Sequence, residues 1–553
     1  MTAAARIVFL GGLGEIGRNC FCIEVEGRII VVDCGLMFPE ADMPGVDLVL
    51  PDFTYLRDNA ERVDGIVLTH GHEDHVGGLS YLLRDVSAPL YGSALTLGFA
   101  RRRIDEAGLI DRTELIPVAD GEIRTIGAVE CEFVPVTHSV PHAFAVAYRT
   151  SIGTILHTGD FKLDLTPVDG RTTDLPRLGQ LGAEGVKLLL SDSTNAERPG
   201  STPSESTVGP AIRDLLRDHP DQRLIVASFA SHLHRVEQVA REAVAAGRKV
   251  AFLGRSMVHN VTLGREMGLF GVAADQVIDI DEASRYAPGE VCVICTGSQG
   301  EPMSALALMA AHEHKHVKVS EDDVVVLSAH AIPGNEQNVD RVIDSLTRAG
   351  ADVVHGSEAH VHVSGHASRE ELKFMLDLVR PEWFVPVHGE YRHMVHHARL
   401  AESVGIARDH VLVCEDGDMV ILDEKGADVE RCAVPAGYQY VDGITGDVDQ
   451  GVLRDRRTLA AEGFVVVIVT VDAASGEIVT GPEIVTRGWV FEAEAEALIE
   501  EAKAAVRTSI AAAAAEGATD ADTLRRHARR ALGKLINERT RRRPAIIPVV
   551  MEV

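Results

Sequence analysis

The segment LTHGHEDHVGG, residues 68–78, constrains this chain more than any other feature of its sequence. It places His70, His72, Asp74 and His75 between an apolar run and a double glycine, a strand-then-turn pattern that crowds four ligand-type side chains together. Buried without partners, such groups cost several kcal/mol, and a cation removes that cost. Neutral imidazole and carboxylate are good zinc ligands. The H-x-H-x-D-H spacing can direct the first two histidines to one metal and the Asp-His pair to a second. A fold that satisfies this segment must hold a strand end rigidly and bring more donors to it from elsewhere.

The strand-like segments GIVLT (65–69), ECEFVPV (130–136), TILHT (154–158) and FVPVHGE (384–390) each deliver polar residues at or just beyond their C-terminal ends. That edge is where layered α/β folds build their sites. RIVFLGG and CFCIEVEGRIIVVDCG read as strands joined by tight turns, with Gly27 in a hairpin position. Between about 205 and 355 the pattern becomes regular: LIVASFA, RKVAFLG, VCVICTGS and VVVLSAH alternate with amphipathic stretches such as LHRVEQVAREAVAAG, which predicts a separate parallel-sheet domain. Histidine-rich loops return from 362, so this domain is inserted into one that resumes afterwards. Beyond about 435 the chain turns polar and turn-rich. Residues 455–553 then read as a small α/β unit with FVVVIVTVD, an Ala/Glu helix from about 491 and a final strand IIPVVMEV.

A chain of 553 residues is expected to form two to four domains. No apolar run reaches the ~18 residues of a membrane helix, and the N-terminal stretch lacks a full signal core, so the expectation is a cytoplasmic protein. The eight cysteines are thinly spread; Cys20, Cys22, Cys292 and Cys295 sit in apolar strands and read as core residues rather than zinc ligands. Gly12, Gly14 and Gly17 form a GxGxxG with Asp33 downstream, yet residues 18–33 carry strand chemistry where a dinucleotide site needs a helix. The net charge of −29 opposes non-specific nucleic-acid binding, although bound divalent ions add local positive charge. The stretches Arg525-Arg526, Arg529-Arg530 and Arg541-Arg542-Arg543 fit either a solvated face or an RNA or partner contact, and His312, His314 and His316 fit an exposed loop.

H-x-H-x-D-H resembles the signature of the metallo-β-lactamase superfamily, and the superfamily's remaining ligands are present in order: His138 in PVTHSVP, Asp160 in HTGDFKLD and His388 in PVHGE. The resemblance implies that His70, His72 and His138 hold one metal, that Asp74, His75 and His388 hold the other, and that Asp160 bridges them, with Asp33 in VVDCG orienting ligands. The inserted domain resembles the β-CASP arrangement of nucleic-acid-processing members. Its motifs are Asp192 in SDSTN, ASFASHLHR (227–235), CTGSQGEP (295–302), SAHAIPGNE (328–336) and HVSGHAS (362–368). With GGLGEIG, GDFKLDLTPVDG and PVHGEYRHM added, the chain resembles the bacterial ribonuclease J family over nearly its whole length. The implied architecture is an αββα sandwich in two parts (1–204 and 359–435), a β-CASP domain (205–358), a linker (436–454) and a C-terminal α/β domain (455–553).

The chemistry of these motifs suits a nucleotide cradle. Ser231, Ser364 and Gly365 let backbone amides approach phosphate oxygens, His362 and His366 can donate to the same anion or protonate a leaving oxygen, and Phe229 can stack a base. The family resemblance implies a 5′-phosphate pocket built from residues 362–366 (His362, Val363, Ser364, Gly365, His366) and the loop of Phe229, Ala230 and Ser231. It implies Asp74, His75, Asp160 and His366 as catalytic residues. It also implies cleavage of single-stranded RNA both internally and from the 5′ end, with 5′-monophosphate ends favoured, in RNA maturation and decay. A homodimer or homotetramer, and association with other RNA-decay proteins, come with the same resemblance. Two divalent ions are expected, zinc foremost, with manganese or magnesium compatible with the donors. One departure is His142, after THSVP, where family members often carry Asp. The rival readings are a β-CASP nuclease acting on DNA or on RNA 3′ ends, and a non-catalytic RNA-binding scaffold; a small-molecule hydrolase leaves the insertion unexplained.

Overall fold

Apolar strands buried on both faces build a two-sheet sandwich, because alternate side chains of each strand enter cores on opposite sides of its sheet. The computed structural model describes residues 4–40, 42–301, 303–332, 335–356, 359–443, 446–448, 450–489 and 496–553. Ile7, Phe9, Ile23, Val25 and Val32 from an eight-stranded sheet meet Phe133, Val146, Tyr148, Ile155 and Leu188 from a six-stranded sheet in one buried core. The other face of the six-stranded sheet, including Val134, Ala145, Leu156 and Leu189, is covered by helices Leu175–Glu184, Arg369–Val379 and Tyr391–Ser403. The six-stranded sheet runs Trp383–Val387, Val186–Asp192, Gly153–His157, Ala143–Thr150, Val129–Val136, Ile123–Ile126, so its edge strand comes from the far side of the insertion.

The insertion carries a five-stranded, wholly parallel sheet in the order Lys249–Leu253, Val291–Cys295, Arg223–Ala227, Asp323–Leu327, Asp352–Val354. Beyond the charged first residues Lys249, Arg223, Asp323 and Asp352, its strands are apolar because helices cover both faces: Val226, Ile294 and Val326 enter one core, Ile225, Val293 and Val325 the other. Cys20, Cys22, Cys292 and Cys295 are buried free thiols. Gly12, Gly14 and Gly17 lie in the loop between strands Ala5–Gly11 and Cys20–Val25; a strand follows where a dinucleotide site needs a helix. Instead, Leu13 and Gly14 pair with Gly389 and Glu390, which ties this loop to the turn that carries His388.

Close contacts divide the chain into a unit of residues 1–38 and 49–439 and a unit of residues 39–48 and 440–553. In the second, strand Phe464–Val471 is flanked antiparallel by Ile478–Arg487 and parallel by Ala545–Glu552. Helices Glu496–Ala515 and Ala521–Thr540 pack Val506, Ile510, Leu524 and Leu532 against Val465, Val467 and Val469. The span expected to be a linker holds strand Tyr438–Asp442 and the start of helix Gln450–Glu462; Leu453 is the one buried side chain of that helix, so no apolar period announces it. The expected helix start near 491, the boundary at 358, and Pro302, Pro333 and Gly334 of the quoted motifs lie outside the described residues. His312, His314 and His316 occupy a turn in which His314 Nδ1 accepts from the backbone of His316 and Val317.

Candidate metal centre

Five strand ends converge on one point. Strand Val63–Val67 leads to His70, Val129–Val136 to His138, Gly153–His157 to Asp160, Val186–Asp192 ends on Asp192, and Trp383–Val387 delivers His388. The short helix Glu73–Val76, entered through His72, adds Asp74 and His75. Asp33 and His388 both adopt left-handed backbone, φ 56° and 53°. Non-glycine residues hold that conformation at a cost of ~1–3 kcal/mol only where the surroundings impose it, and such positions cluster at functional sites.

Two quartets share Asp160. Ligand atoms of His70, His72, His138 and Asp160 lie within 4.8 Å of one another, as do those of Asp74, His75, Asp160 and His388. Imidazole nitrogens face each other closely, His72 Nδ1 standing 3.0 Å from His70 Nε2 and 3.1 Å from His138 Nε2. Hydrogen-bond partners on the outer side fix which nitrogen carries the proton. His138 Nδ1 is 2.8 Å from the carbonyl of Gly365, which can only accept, so the proton is there and the Nε2 lone pair faces inward. His75 Nδ1 donates to Asp33 Oδ2 at 2.8 Å. The Thr69 hydroxyl donates to the same oxygen at 2.7 Å and therefore accepts from His70 Nδ1 at 3.1 Å. Lone pairs of His70, His75 and His138 thus converge on Asp160 Oδ2, at 3.5, 3.3 and 3.8 Å. That oxygen is fully buried without a well-aligned hydrogen bond. Inward nitrogens around a buried carboxylate oxygen repel one another unless positive charge sits among them, either protons on His75 and His388 or the divalent ions that displace those protons, so the residues fit divalent ions.

Burial pushes His70 and His138 well below the usual histidine range and His72 down to about 4, leaving them neutral and able to ligate at neutral pH. At His75 and His388 burial acts the same way, but the carboxylate of Asp160 outweighs it and draws protons to both rings, protons that a divalent ion displaces on binding.

His366 lies beside this centre. Its Nδ1 is 2.8 Å from Asp192 Oδ2, and Asp192 prevails over burial to raise His366 to about 9. Asp160, Asp192, His366 and His388 form a third group with ligand atoms within 4.8 Å. Ser364 Oγ accepts from Asn195 Nδ2 at 2.9 Å, and Asn195 also bonds the carbonyl of His366 at 3.0 Å, so one amide pins the turn that carries both. A Cβ on residue 365 would stand 2.7 Å from His138 Cε1, so glycine there leaves the His138 ring its place. Val363 turns its side chain into the core of the inserted domain, against which Ala230 also packs; only the backbone of Val363 can face a ligand. Phe229, Ala230 and Ser231 form the turn between strand Arg223–Ala227 and helix Leu233–Ala245, with Phe229 half-buried. His142 lies in left-handed backbone, φ 62°, and burial and then Arg171 push it below the usual range.

Nothing in the spacing of the sequence singled out Thr69, Asn195, Asn19 or Asp192. Asn19 reaches the carbonyl of Asp74 at 3.1 Å and His75 Nε2 at 3.1 Å, with nothing in NCFCIEV to mark it. Asp192 stood in a quoted motif without a role; its place at a strand end followed by STN was the available signal.

Four family models match: "Metallo-beta-lactamase superfamily" over residues 13–191, "Ribonuclease J, beta-CASP domain" over 221–346, "Zn-dependent metallo-hydrolase RNA specificity domain" over 352–413 and "Ribonuclease J C-terminal domain" over 451–553. The chain is 41% identical to Ribonuclease J2 of Bacillus subtilis (strain 168), covering 100% of this chain and 99% of that protein. It is 44% identical to Ribonuclease J of Mycobacterium tuberculosis (strain CDC 1551 / Oshkosh), covering 99% and 97%. A solved structure of a protein of unknown function from Enterococcus faecalis V583 shares the fold at TM-score 0.53 and 16% identity, over 76% of this chain and 100% of that one.

Proposed function

This chain belongs to the ribonuclease J family, and on that premise we propose that its paired quartets hold two divalent ions with which it hydrolyses single-stranded RNA. The protein is a metal-dependent ribonuclease with a metallo-β-lactamase domain, an inserted β-CASP domain and a C-terminal domain. The observation that carries the two-ion reading is the inward ring of fixed lone pairs around Asp160 Oδ2.

In this reading His70, His72 and His138 would hold one ion and Asp74, His75 and His388 the other, with Asp160 available to both, and zinc would best match the nitrogen-rich set, with manganese or magnesium as substitutes. Bound there, the ions supply Lewis-acid polarisation of a phosphoryl oxygen and bring the pKa of a water near neutrality. Asp33 and the Gly365 carbonyl keep His75 and His138 aimed. His366, steadied by Asp192, presents its Nε2–H to the oxygen that leaves as the P–O bond breaks. The backbone from His362 to Gly365, the hydroxyls of Ser364 and Ser231, and the turn at Ala230 cradle a terminal phosphate, and Phe229 stacks a base.

The enzyme acts in RNA maturation and decay, cutting internally and from 5′ to 3′, with monophosphate ends preferred. No helix among the described residues is long and apolar enough to cross a membrane, and we place the enzyme in the cytoplasm. The C-terminal unit exposes Ile547, Val549 and Met551 on one sheet face, which supports assembly as a homodimer or homotetramer, with other RNA-decay proteins as further partners. The test is digestion of labelled RNA with defined 5′ ends, with and without chelator. Replacing Ser364 and His366 by Ala is expected to erase the preference for 5′-monophosphate over 5′-triphosphate; an unchanged ratio refutes the pocket, and full turnover in chelator refutes the metal assignment.

A further inference from the structure

We infer that Arg235 is a positioning residue for 5′-end recognition: by donating to His362 Nδ1 it locks that imidazole as a neutral ring whose one proton sits on Nε2. The inference rests on the reading that His362 lines the terminal-phosphate pocket.

Arg235 is fully buried at the start of helix Leu233–Ala245. Its Nε and Nη2 engage the two carboxylate oxygens of Glu205, the latter at 2.7 Å. Nη1 donates to Ser328 Oγ at 2.8 Å, to the Ser328 carbonyl at 3.0 Å and to His362 Nδ1 at 3.1 Å. A guanidinium has no acceptor and does not deprotonate, so His362 Nδ1 must be the acceptor. A second proton on that ring would set two donors against each other beside a fixed positive charge. The Ser328 hydroxyl donates to the Val361 carbonyl at 2.6 Å, so the same guanidinium also secures the backbone just before His362.

The titratable groups facing His362 are Arg235 and His232 at the start of that helix, Glu205, and His330, whose ring crosses His362 edge-on at 4.5 Å. Burial first and then Arg235 hold His362 well below the usual histidine range, with Glu205 as the opposing charge. His362 therefore serves a phosphate as a hydrogen-bond donor without adding charge. A terminus is then selected by fit and direction, and the additional negative charge of a triphosphate gains nothing from this ring. The expected consequence is that His362 itself contributes no titration near ~6.5, the pH where a free imidazole titrates, leaving the terminal phosphate's own second ionisation, near ~6, as a separate source of pH dependence in end preference.

The test combines residue-resolved histidine hydrogen exchange on the metal-loaded enzyme with rate ratios on 5′-monophosphate and 5′-triphosphate RNA across the acid and neutral range. In the wild type His362 is expected to show no inflection near ~6.5. In Arg235→Met combined with Glu205→Gln, which removes both members of the buried pair together, an inflection near the ordinary value is expected. The ratio should fall about three- to tenfold at fixed pH, the size of one oriented hydrogen bond. An inflection near the ordinary value in the wild type overturns the proposal whatever the variant does, and so does a double variant with unchanged His362 titration and ratio. His362→Ala separates the two levels: if it leaves end preference intact the pocket reading itself fails, whereas a loss there beside an unaffected Arg235 variant removes only the role of Arg235.

Discussion

Asp33→Asn is expected to weaken metal binding by about 10- to 100-fold while leaving the backbone in place. Asp33 is 1% exposed in left-handed backbone, a conformation asparagine shares with aspartate, so the substitution changes charge and donor pattern rather than chain geometry. In the native protein Oδ1 accepts from the Thr69 amide at 2.8 Å, and Oδ2 accepts from the Thr69 hydroxyl at 2.7 Å and from His75 Nδ1 at 2.8 Å. An asparagine that keeps the Thr69 amide bond turns its NH2 toward two donors. The Thr69 hydroxyl can rotate and accept, but His75 must move its proton to Nε2, where it points at Asp160. Losing that one charge-assisted hydrogen bond costs ~1.5–3 kcal/mol. At ~1.4 kcal/mol per decade this is at least a tenfold loss in affinity, concentrated on the ion that His75 serves. Competition of the metal-loaded protein against a chromophoric chelator resolves the two ions. A variant that retains both as tightly as the wild type refutes the argument that outer hydrogen bonds set the ligand tautomers.

Asp74→Ala is expected to lower RNA hydrolysis at least ~100-fold with an unchanged thermal midpoint in chelator, because Asp74 is a carboxylate of the quartet held by Asn19 rather than a core residue; near-native turnover after metal-free preparation contradicts this. Gly365→Ala drives a Cβ to 2.7 Å from His138 Cε1, so metal retention during dialysis should drop for the ion held by His70, His72 and His138, and unaltered retention would show that the turn yields without moving the ring. Glu205→Gln leaves the Arg235 charge buried without its counter-ion, a loss of ~3–5 kcal/mol near neutrality. Despite burial, Arg235 holds the Glu205 carboxyl well below its usual range, so its stabilisation is present above the unfolded value of ~4.3 and is lost as pH falls through the folded value. Thermal melts of wild type and variant should therefore converge toward acid, and a constant gap down to the lowest accessible pH would contradict that sign.

The ligand types in residues 70–75 were legible because four of the donors are neighbours in the chain and local spacing carries their meaning. The insertion was legible because the hydrophobic pattern changes near 205 from strands ending in polar cargo to regular alternation, and changes back near 362. Helix Gln450–Glu462 was not, since Leu453 is its one buried side chain and no period forms. What only the tertiary structure decided is which atoms face which. Asp192 meets His366 across 174 residues of sequence and Arg235 meets His362 across 127, and no spacing rule reaches so far. The same holds for the protons: whether His70, His75 and His138 offer a lone pair or a hydrogen to the centre depends on Thr69, Asp33 and the Gly365 carbonyl standing behind them. A chain segment specifies the kind of donor it brings. The direction of that donor is fixed by hydrogen bonds. At His75 and His138 the partners, Asp33 and the Gly365 carbonyl, are brought within 3 Å only by packing, and Thr69, the chain neighbour of His70, is itself oriented by Asp33. In this protein that direction is what turns a cluster of histidines and aspartates into a place for cations.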